Sequence, residues 1–320
     1  MTSFPTLSDI EASAERIAPW AHRTPVMTSS SIETIAGCQL FFKCENFQKV
    51  GAFKFRGASN AVLSLGDDEA ASGVATHSSG NHAQALALAA KLRGIPAHIV
   101  MPSNAPAIKK AAVAGYGARI VECEPTLEAR ETTLDAVVRE TGAAFVHPYN
   151  DIRVITGQAT AARELIQDIP DLDILLTPVG GGGLLSGSAL SAHYLSPQTQ
   201  VIAAEPEGAD DALRSFRAGY IIPSENPRTI ADGLLTSLGD KTFAIIQKHV
   251  HDIISVPDDA IIRAMRLIWE RMNIIVEPSA AVPLAAILEG RVQSAGKRVG
   301  IILSGGNLDL ERLPWMGIDG

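Results

Sequence analysis

Lys54 stands in Gly51-Ala-Phe-Lys-Phe-Arg-Gly57, a lysine between glycines shortly after the apolar run Leu40–Cys44. An amine at such a turn can enter a cleft between structural layers. Partly removed from water, its ammonium form is disfavoured, and the neutral amine becomes available for Schiff-base chemistry or proton abstraction. The same motif also fits a solvated surface lysine, as most lysines are, so the choice rests on the other stretches that could carry chemistry.

Ser78-Ser79-Gly80-Asn81-His82 lies between a strand-like and a helix-like run. Its amides and hydroxyls could hold a carboxylate, and Asn81 could donate to a phenolate-type oxygen. Ser and Asn are also the preferred helix caps, so alone the stretch reads either way. Gly180-Gly181-Gly182-Gly183 joins a strand pattern to a helix pattern. Consecutive glycines let backbone N–H groups turn inward as an anion nest at a helix N-terminus, which suits one phosphate. Leu184-Leu185 follow where a P-loop would place lysine, and the spacing is not GxGxxG, so a nucleoside triphosphate or dinucleotide is not indicated. A plain glycine turn is the alternative. Ser304-Gly-Gly-Asn307 ends an apolar run, where open α/β sheets place ligands. A serine there offers a ring nitrogen a neutral partner, though a strand-end turn would look the same. Glu205-Pro-Glu-Gly-Ala-Asp-Asp211 carries four carboxylates in seven residues. Glu205, Asp211 and the Ala209 carbonyl could form a hard-oxygen set for Mg²⁺ or Ca²⁺, with a solvated acidic loop as the alternative.

Elements that would position these residues follow from periodicity. Ser8 with Glu11 reads as a capping box opening a helix over 9–18. A strand over 40–44, the lysine turn and a helix over 58–65 come next, and the polar stretch 67–72 reads as a break between domains. Strands over 73–77, 97–101, 119–122 and 144–147 alternate with helices over 81–93, 107–114 and 126–141. His147-Pro-Tyr-Asn-Asp151 closes this series. The second half continues with a helix over 154–167, a strand over 173–177 and a helix from 184. Strands over 200–204, 252–256 and 299–303 and helices over 259–271 and 279–289 complete it. Such alternation predicts an α/β fold with mostly parallel sheets covered on both faces.

A length of 320 residues allows two domains, and the formal charge of −8 argues against nucleic-acid binding. Cys38, Cys44 and Cys123 have no metal or CxxC spacing and read as reduced thiols. No apolar run approaches a membrane span, and Met-Thr-Ser-Phe-Pro lacks a basic-then-apolar leader. The expectation is a cytoplasmic protein with a small-molecule substrate, no nucleic-acid or membrane partner, and a homodimer as the default assembly.

In order and type, the Lys54 motif, Ser78-Ser-Gly-Asn-His-Ala-Gln84, Gly180–Leu184 and Ser304–Asn307 resemble the fold-type II pyridoxal-phosphate enzymes over almost the full chain. The likeness is to the branch holding serine racemase, serine/threonine dehydratase and threo-3-hydroxyaspartate dehydratase. The resemblance implies two three-layer α/β domains with the cofactor in the cleft between them: a large one of residues 1–68 and 151–320 and a small one of residues 69–150. It implies that Lys54 holds pyridoxal 5'-phosphate through its amine, with Phe53 near the ring, Asn81 on its 3-hydroxyl and Ser304 on its nitrogen. Gly180, Gly181, Gly182, Gly183 and Leu184 would bind the phosphate by their amides, and Gly233 and Glu277 would line the cofactor. Ser78, Ser79, Asn81 and His82 would surround the substrate carboxylate, and Ser79 would serve as a second acid–base group opposite Lys54. Arg130 could meet a second carboxylate, or remain an exposed helix arginine. Glu205, Ala209 and Asp211 resemble the divalent-cation site of the racemase branch, for Mg²⁺ or Ca²⁺ with Mn²⁺ as a further option. The implied activity is ammonia release from a β-hydroxy amino acid (L-threo-3-hydroxyaspartate, L-serine or L-threonine), with racemisation as the alternative and no isoleucine-responsive regulatory domain. On architecture alone, a nucleotide-linked dehydrogenase or an amino-acid-binding module stays open.

Overall fold

The computed structural model describes residues 4–316, and strands alternate with helices through most of them. The first part runs α1 (Leu7–Ile17), β1 (Val26–Met27), α2 (Ser30–Ala36), β2 (Gln39–Cys44), α3 (Lys54–Leu63) and α4 (Asp67–Ala71). Next come β3 (Val74–His77), α5 (Asn81–Arg93), β4 (Ala97–Pro102), α6 (Ala107–Gly115), β5 (Arg119–Cys123), α7 (Leu127–Thr141) and β6 (Ala144–Phe145). The chain continues with α8 (Ile152–Asp168), β7 (Ile174–Pro178), α9 (Gly183–Leu195), β8 (Gln200–Pro206) and α10 (Asp211–Ala218). It ends with α11 (Asp240–His249), β9 (Asp252–Val256), α12 (Asp258–Met272), α13 (Pro278–Leu288) and β10 (Arg298–Leu303).

The strands form two sheets, one in the order β1-β2-β10-β7-β8-β9 and one in the order β5-β4-β3-β6. All neighbours are parallel except β1, which runs antiparallel on β2. Every residue of β7 is buried, and so is all of β10 after Arg298. These strands read as unbroken apolar runs because helices cover both faces of a parallel sheet. No helix of the described residues is long and apolar enough to cross a membrane.

Several boundaries differ from those the sequence predicts. The first helix is capped by Thr6, not Ser8: the Asp9 amide donates to the Thr6 hydroxyl at 3.3 Å, and the Asp9 carboxylate accepts the Thr6 amide at 2.7 Å. Both pairs, Ser8 with Glu11 and Thr6 with Asp9, have the spacing of three that the box requires, and the reciprocal bonds form at Thr6 and Asp9, two residues earlier. The helix after the lysine turn begins at Lys54 itself, not at Ala58. The polar stretch after Leu65 is the short helix α4, with three acidic residues in its first turn, where they complement the helix dipole. Helices α2, α10 and α11 and edge strand β1 were not expected.

Helix α3 has two partners. Phe55, Ala58, Ala61 and Val62 join the core of the four-stranded sheet, alongside Val74, Leu86 and Ile99. On the other side it approaches α8 closely at Gly57 and Gly157. A Cβ on Gly157 would lie 2.6 Å from the Gly57 Cα and 2.7 Å from the Arg56 carbonyl oxygen. Because the obstacles are backbone, Gly157→Ala should cost about 1–3 kcal/mol by overpacking, read as a lower urea midpoint. Gly115→Ala, whose Cβ meets nothing within 4 Å, should stay within about 0.5 kcal/mol of wild type. Equal effects at the two positions would show that the helix contact is not tight in solution.

Candidate active site

Three chain segments meet through their backbones at the carboxyl ends of the strands. The turn after β2 is stitched to the end of β10: the Phe53 amide donates to the Ser304 carbonyl at 3.0 Å and the Gly306 amide to the Gly51 carbonyl at 2.9 Å. The Glu277 amide donates to the Gly305 carbonyl at 3.0 Å, adding the start of α13. Gly305 has no room for a side chain, because its Cβ would lie 2.7 Å from Glu277 Oε1. Ser304 is 2% exposed at the end of its strand.

This seam sets Lys54 at the first position of α3. Its Nζ lies 5.2 Å from the Phe53 ring centroid and donates to the Pro148 carbonyl at 2.9 Å. Burial lowers its pKa to about 8, only partly opposed by the negative charge of Glu277. A substantial neutral fraction is therefore present near neutral to mildly alkaline pH.

Tyr149 links this amine to the glycine turn. A Cβ on Gly181 would lie 2.3 Å from the Tyr149 Cγ and Cδ1, and one on Gly183 would lie 3.0 Å from the Tyr149 Cβ. Gly182 has φ of +86°, which favours glycine. Gly183 begins the thirteen-residue helix α9, with Leu184 buried behind it. The Tyr149 hydroxyl lies 3.0 Å from Thr236 Oγ1. Gly233 lies in a short 3₁₀ turn, its amide donating to Ser279 Oγ at 3.2 Å.

Asn81, first in α5, bridges the two sheets. Its amide nitrogen donates to both Glu277 oxygens at 3.1 and 3.2 Å, and its amide oxygen accepts from Asn307 Nδ2 at 2.9 Å. Burial raises Glu277 to about 7 against the pull of these donors. Ser78 and Ser79 are half-buried in the turn between β3 and α5, and the Ser78 hydroxyl accepts the Gly80 amide at 3.4 Å. His82 is buried with Nε2 3.3 Å from the Val146 carbonyl, and burial holds it well below the ordinary value, hence neutral. Its imidazole thus engages backbone of the four-stranded unit. Arg130, on α7, donates from Nε to the Thr126 carbonyl at 3.3 Å and is half-buried. Burial lowers His77, at the end of β3, and the Arg130 charge adds to that.

The acidic stretch is not a solvated loop. Glu205, at the end of β8, is 1% exposed, Ala209 5% and Asp211, first in α10, 2%. Glu205 accepts the Leu213 amide at 2.6 Å and the Ala212 amide at 3.3 Å, while Asp211 Oδ2 has no partner. Burial drives Glu205 up to about 9 and Asp211 to about 6. Among the described residues no three His, Cys, Asp or Glu side chains converge as a metal set, so a cation would rest on these two carboxylates and a backbone carbonyl.

The structure adds residues that the motifs did not single out. Pro148 supplies the acceptor for Lys54, Tyr149 packs on the glycine turn, and His147 folds the segment between them. His147 Nδ1 accepts the Tyr149 and Asn150 amides at 3.3 and 2.9 Å. The signal was the His147–Asp151 run closing the first series, which carried no chemistry of its own.

A buried amine, a side-chain-free cradle at a helix N-terminus and a neutral serine at a strand end fit a phosphorylated aldehyde with an aromatic ring nitrogen. Residues 17–305 match the family described as pyridoxal-phosphate dependent enzyme. The chain is 56% identical over 311 residues to the β-hydroxyaspartate dehydratase of Paracoccus denitrificans (strain Pd 1222), covering 97% of this chain and 99% of that one. It is 50% identical over 309 residues to a serine racemase of Oryza sativa subsp. indica, covering 95% and 91%. The crystal structure of serine racemase from Dictyostelium discoideum aligns with a TM-score of 0.91 at 49% identity, covering 95% and 99%. The chain belongs to the fold-type II pyridoxal-phosphate-dependent enzymes.

Only the neutral amine attacks an aldehyde, so the rate at which apoprotein captures pyridoxal phosphate should track Lys54 deprotonation. It should rise with pH through about 8 and level off, rather than climb towards the ordinary lysine value of 10.5. Absorbance with borohydride trapping reads this rate; a profile still rising above pH 9.5 would place Lys54 in solvent.

Proposed function

We propose that this protein is an ammonia-lyase that converts a small β-hydroxy amino acid to a 2-oxo acid and ammonia, working in the cytoplasm as a homodimer. The body of residues 1–68 and 151–320 would bind the cofactor, and residues 69–150 would carry most of the substrate contacts. L-threo-3-hydroxyaspartate, L-serine and L-threonine are the candidate substrates. The observation that carries the reading is the desolvated Lys54 amine beside the glycine cradle. The names of the Paracoccus and rice relatives support the substrate class.

When bound, pyridoxal phosphate would supply the electron sink for negative charge at the substrate Cα. Gly180 to Leu184 would hold its phosphate, Phe53 and Ser304 its ring, and Asn81, Gly233 and Glu277 its margin. Lys54 would carry it covalently at rest and, once displaced by the substrate amine, would take the α-proton. The start of α5, with Ser78, Ser79, Asn81 and the His82 amide, would hold the substrate carboxylate through N–H and O–H donors. Arg130 would receive a second carboxylate, which favours the hydroxyaspartate substrate.

A cation fits the Glu205, Ala209 and Asp211 set because Asp211 leaves one buried oxygen unpartnered and burial disfavours both carboxylate charges without a counter-ion. Mg²⁺ or Ca²⁺, or Mn²⁺, would balance it and brace β8 against α10. Adding Mg²⁺ or Ca²⁺ should raise Tm, since a ligand of the folded state stabilises it. Asp211→Ala should abolish that response; an unchanged rise would remove the cation from this site.

Ser79 favours a second reading, an amino-acid racemase with lyase side activity. Elimination from an L-substrate needs one base, Lys54, whereas racemisation needs a proton returned on the other face. Lys54→Ala should abolish both activities and the borohydride-stable link. Ser79→Ala should leave 2-oxo acid formation from L-substrates at a usable rate while D-serine formation falls by roughly 10²–10⁴-fold. Equal loss of both would assign Ser79 to binding, and a wild-type enzyme forming no D-enantiomer would leave the lyase alone.

A further inference from the structure

Beneath α3, outside the proposed cofactor contacts, lies a cluster of four ionisable side chains. Lys43, Glu45 and Arg56 are each 0% exposed, and the Glu164 side chain is 12% exposed. Arg56 Nε donates to Glu45 Oε2 at 2.7 Å and its Nη2 to Glu45 Oε1 at 2.9 Å. The same guanidinium forks onto Glu164, Nη1 to Oε1 at 2.7 Å and Nη2 to Oε2 at 2.8 Å. The second Nη1 hydrogen goes to Thr160 Oγ1 at 3.2 Å, and the His22 carbonyl, also at 3.2 Å, shares an Nη2 hydrogen with a carboxylate. Lys43 Nζ donates to Glu164 Oε2 and to the Thr24 carbonyl, both at 2.7 Å, and the Thr24 hydroxyl donates to Glu45 at 2.6 Å.

Two cations and two anions cancel, so the cluster is neutral as a whole. Burial opposes the charge of Arg56, but Glu45 and Glu164 more than compensate and hold it above its ordinary value. Burial likewise opposes the charge of Glu164, and Arg56 with Lys43 reverses that, so Glu164 stays an anion. Such a cluster is a poor source of stability, because apolar side chains of similar volume usually serve as well. What a guanidinium held by two carboxylates adds is a single geometry: planar and forked, it fixes position and rotation together.

That geometry acts on the helix carrying Lys54. Residues two apart on a helix point to different sides. With Arg56 clamped, the azimuth of Lys54 is set towards the opposite face, where its amine meets the Pro148 carbonyl. Two further contacts act in the same direction. The Gly57 amide donates to Gln158 Oε1 at 3.1 Å, and Asn60 Nδ2 donates to the Arg153 carbonyl at 2.7 Å. Both acceptors lie on α8, which also carries Thr160 and Glu164. The α3 N-terminus is thereby registered on α8 by polar contacts, while its apolar face belongs to the four-stranded sheet.

We propose that Arg56 is a positioning residue for Lys54: its clamp between Glu45 and Glu164 fixes the rotation of α3, so that the Lys54 amine is presented to the cofactor aldehyde and the substrate Cα. This rests on the reading of Lys54 as the cofactor-bearing lysine.

The test uses apoprotein of the wild type, Arg56→Lys, Arg56→Met and Glu164→Gln. Thermal unfolding reports the fold. Capture of pyridoxal phosphate at Lys54, followed by absorbance and located by borohydride trapping and peptide mass, reports presentation of the amine. Steady-state kinetics of the reconstituted enzymes supply kcat and KM. A lysine cannot span both carboxylates, so folded Arg56→Lys should capture the cofactor roughly ten- to hundred-fold more slowly and lose kcat more than KM, the scale expected of a misplacement near 1 Å. Glu164→Gln should fall between Arg56→Lys and wild type. If Arg56→Met does not fold, these two variants decide. Lower stability with wild-type capture rate and kcat in both would make the cluster a structural feature only and overturn the inference alone. A wild type that forms no borohydride-stable link at Lys54 would overturn the reading of Lys54 and this inference with it.

Discussion

Removing an amine from water without pairing it to a carboxylate is the constraint around which this molecule is arranged. Burial lowers both buried lysines, but Lys43 is tied to Glu164, whose charge opposes the loss of its proton. Lys54 instead meets a carbonyl, an aromatic ring and a carboxylate near enough to be felt yet not in contact. Glu277 satisfies its own oxygens with Asn81 and the Asn307 amide and is itself pushed towards protonation by burial. Its field on the amine is correspondingly weak.

The same economy appears in the glycine turn proposed to hold the phosphate. The glycines of the 180–183 turn leave no side chains in the way, and the space next to them is filled by Tyr149. Because Pro148 and Tyr149 are adjacent, one short segment touches both the amine and the cradle. Their relative position is therefore set by covalent geometry, and His147 holds the segment's shape by accepting two of its amides.

Much of this was legible in the residues. The runs of β7 and β10 announce strands covered on both faces, and each chemical motif lies at a turn following a strand. The types at Lys54, Asn81, Gly180–Gly183 and Ser304 point to an amine, a donor, a phosphate nest and a neutral partner, the roles proposed for them. What could not be read was long-range. That Asn81 would engage Glu277 depends on a contact across 196 residues, and that Arg56 would engage Glu164 on one across 108. Read from the sequence, helix α3 starts at Ala58; the earlier start at Lys54 includes Phe55 and Gly57, residues of low helix propensity that packing on α5 and α8 holds in the helix. The acidic stretch admits a solvated loop by composition, yet Glu205 is buried and accepts amides of the first turn of α10, an amphipathic helix ending at Gly219 that the sequence reading leaves unassigned.

The order of strands in the larger sheet bears on how such a protein is made. Strand β10, the last in the chain, is not at an edge but between β2 and β7, and its end forms the seam with the Lys54 turn. Until residues 298–306 have been synthesised, β2 and β7 each lack their central neighbour, and nothing anchors the first turn of α3 from above. A nascent chain on the ribosome can fold the four-stranded unit, whose strands span residues 74–145, long before it owns a cofactor site. Cofactor capture is thus a property of the completed chain, and premature termination yields a polypeptide with open strand edges rather than a partial enzyme.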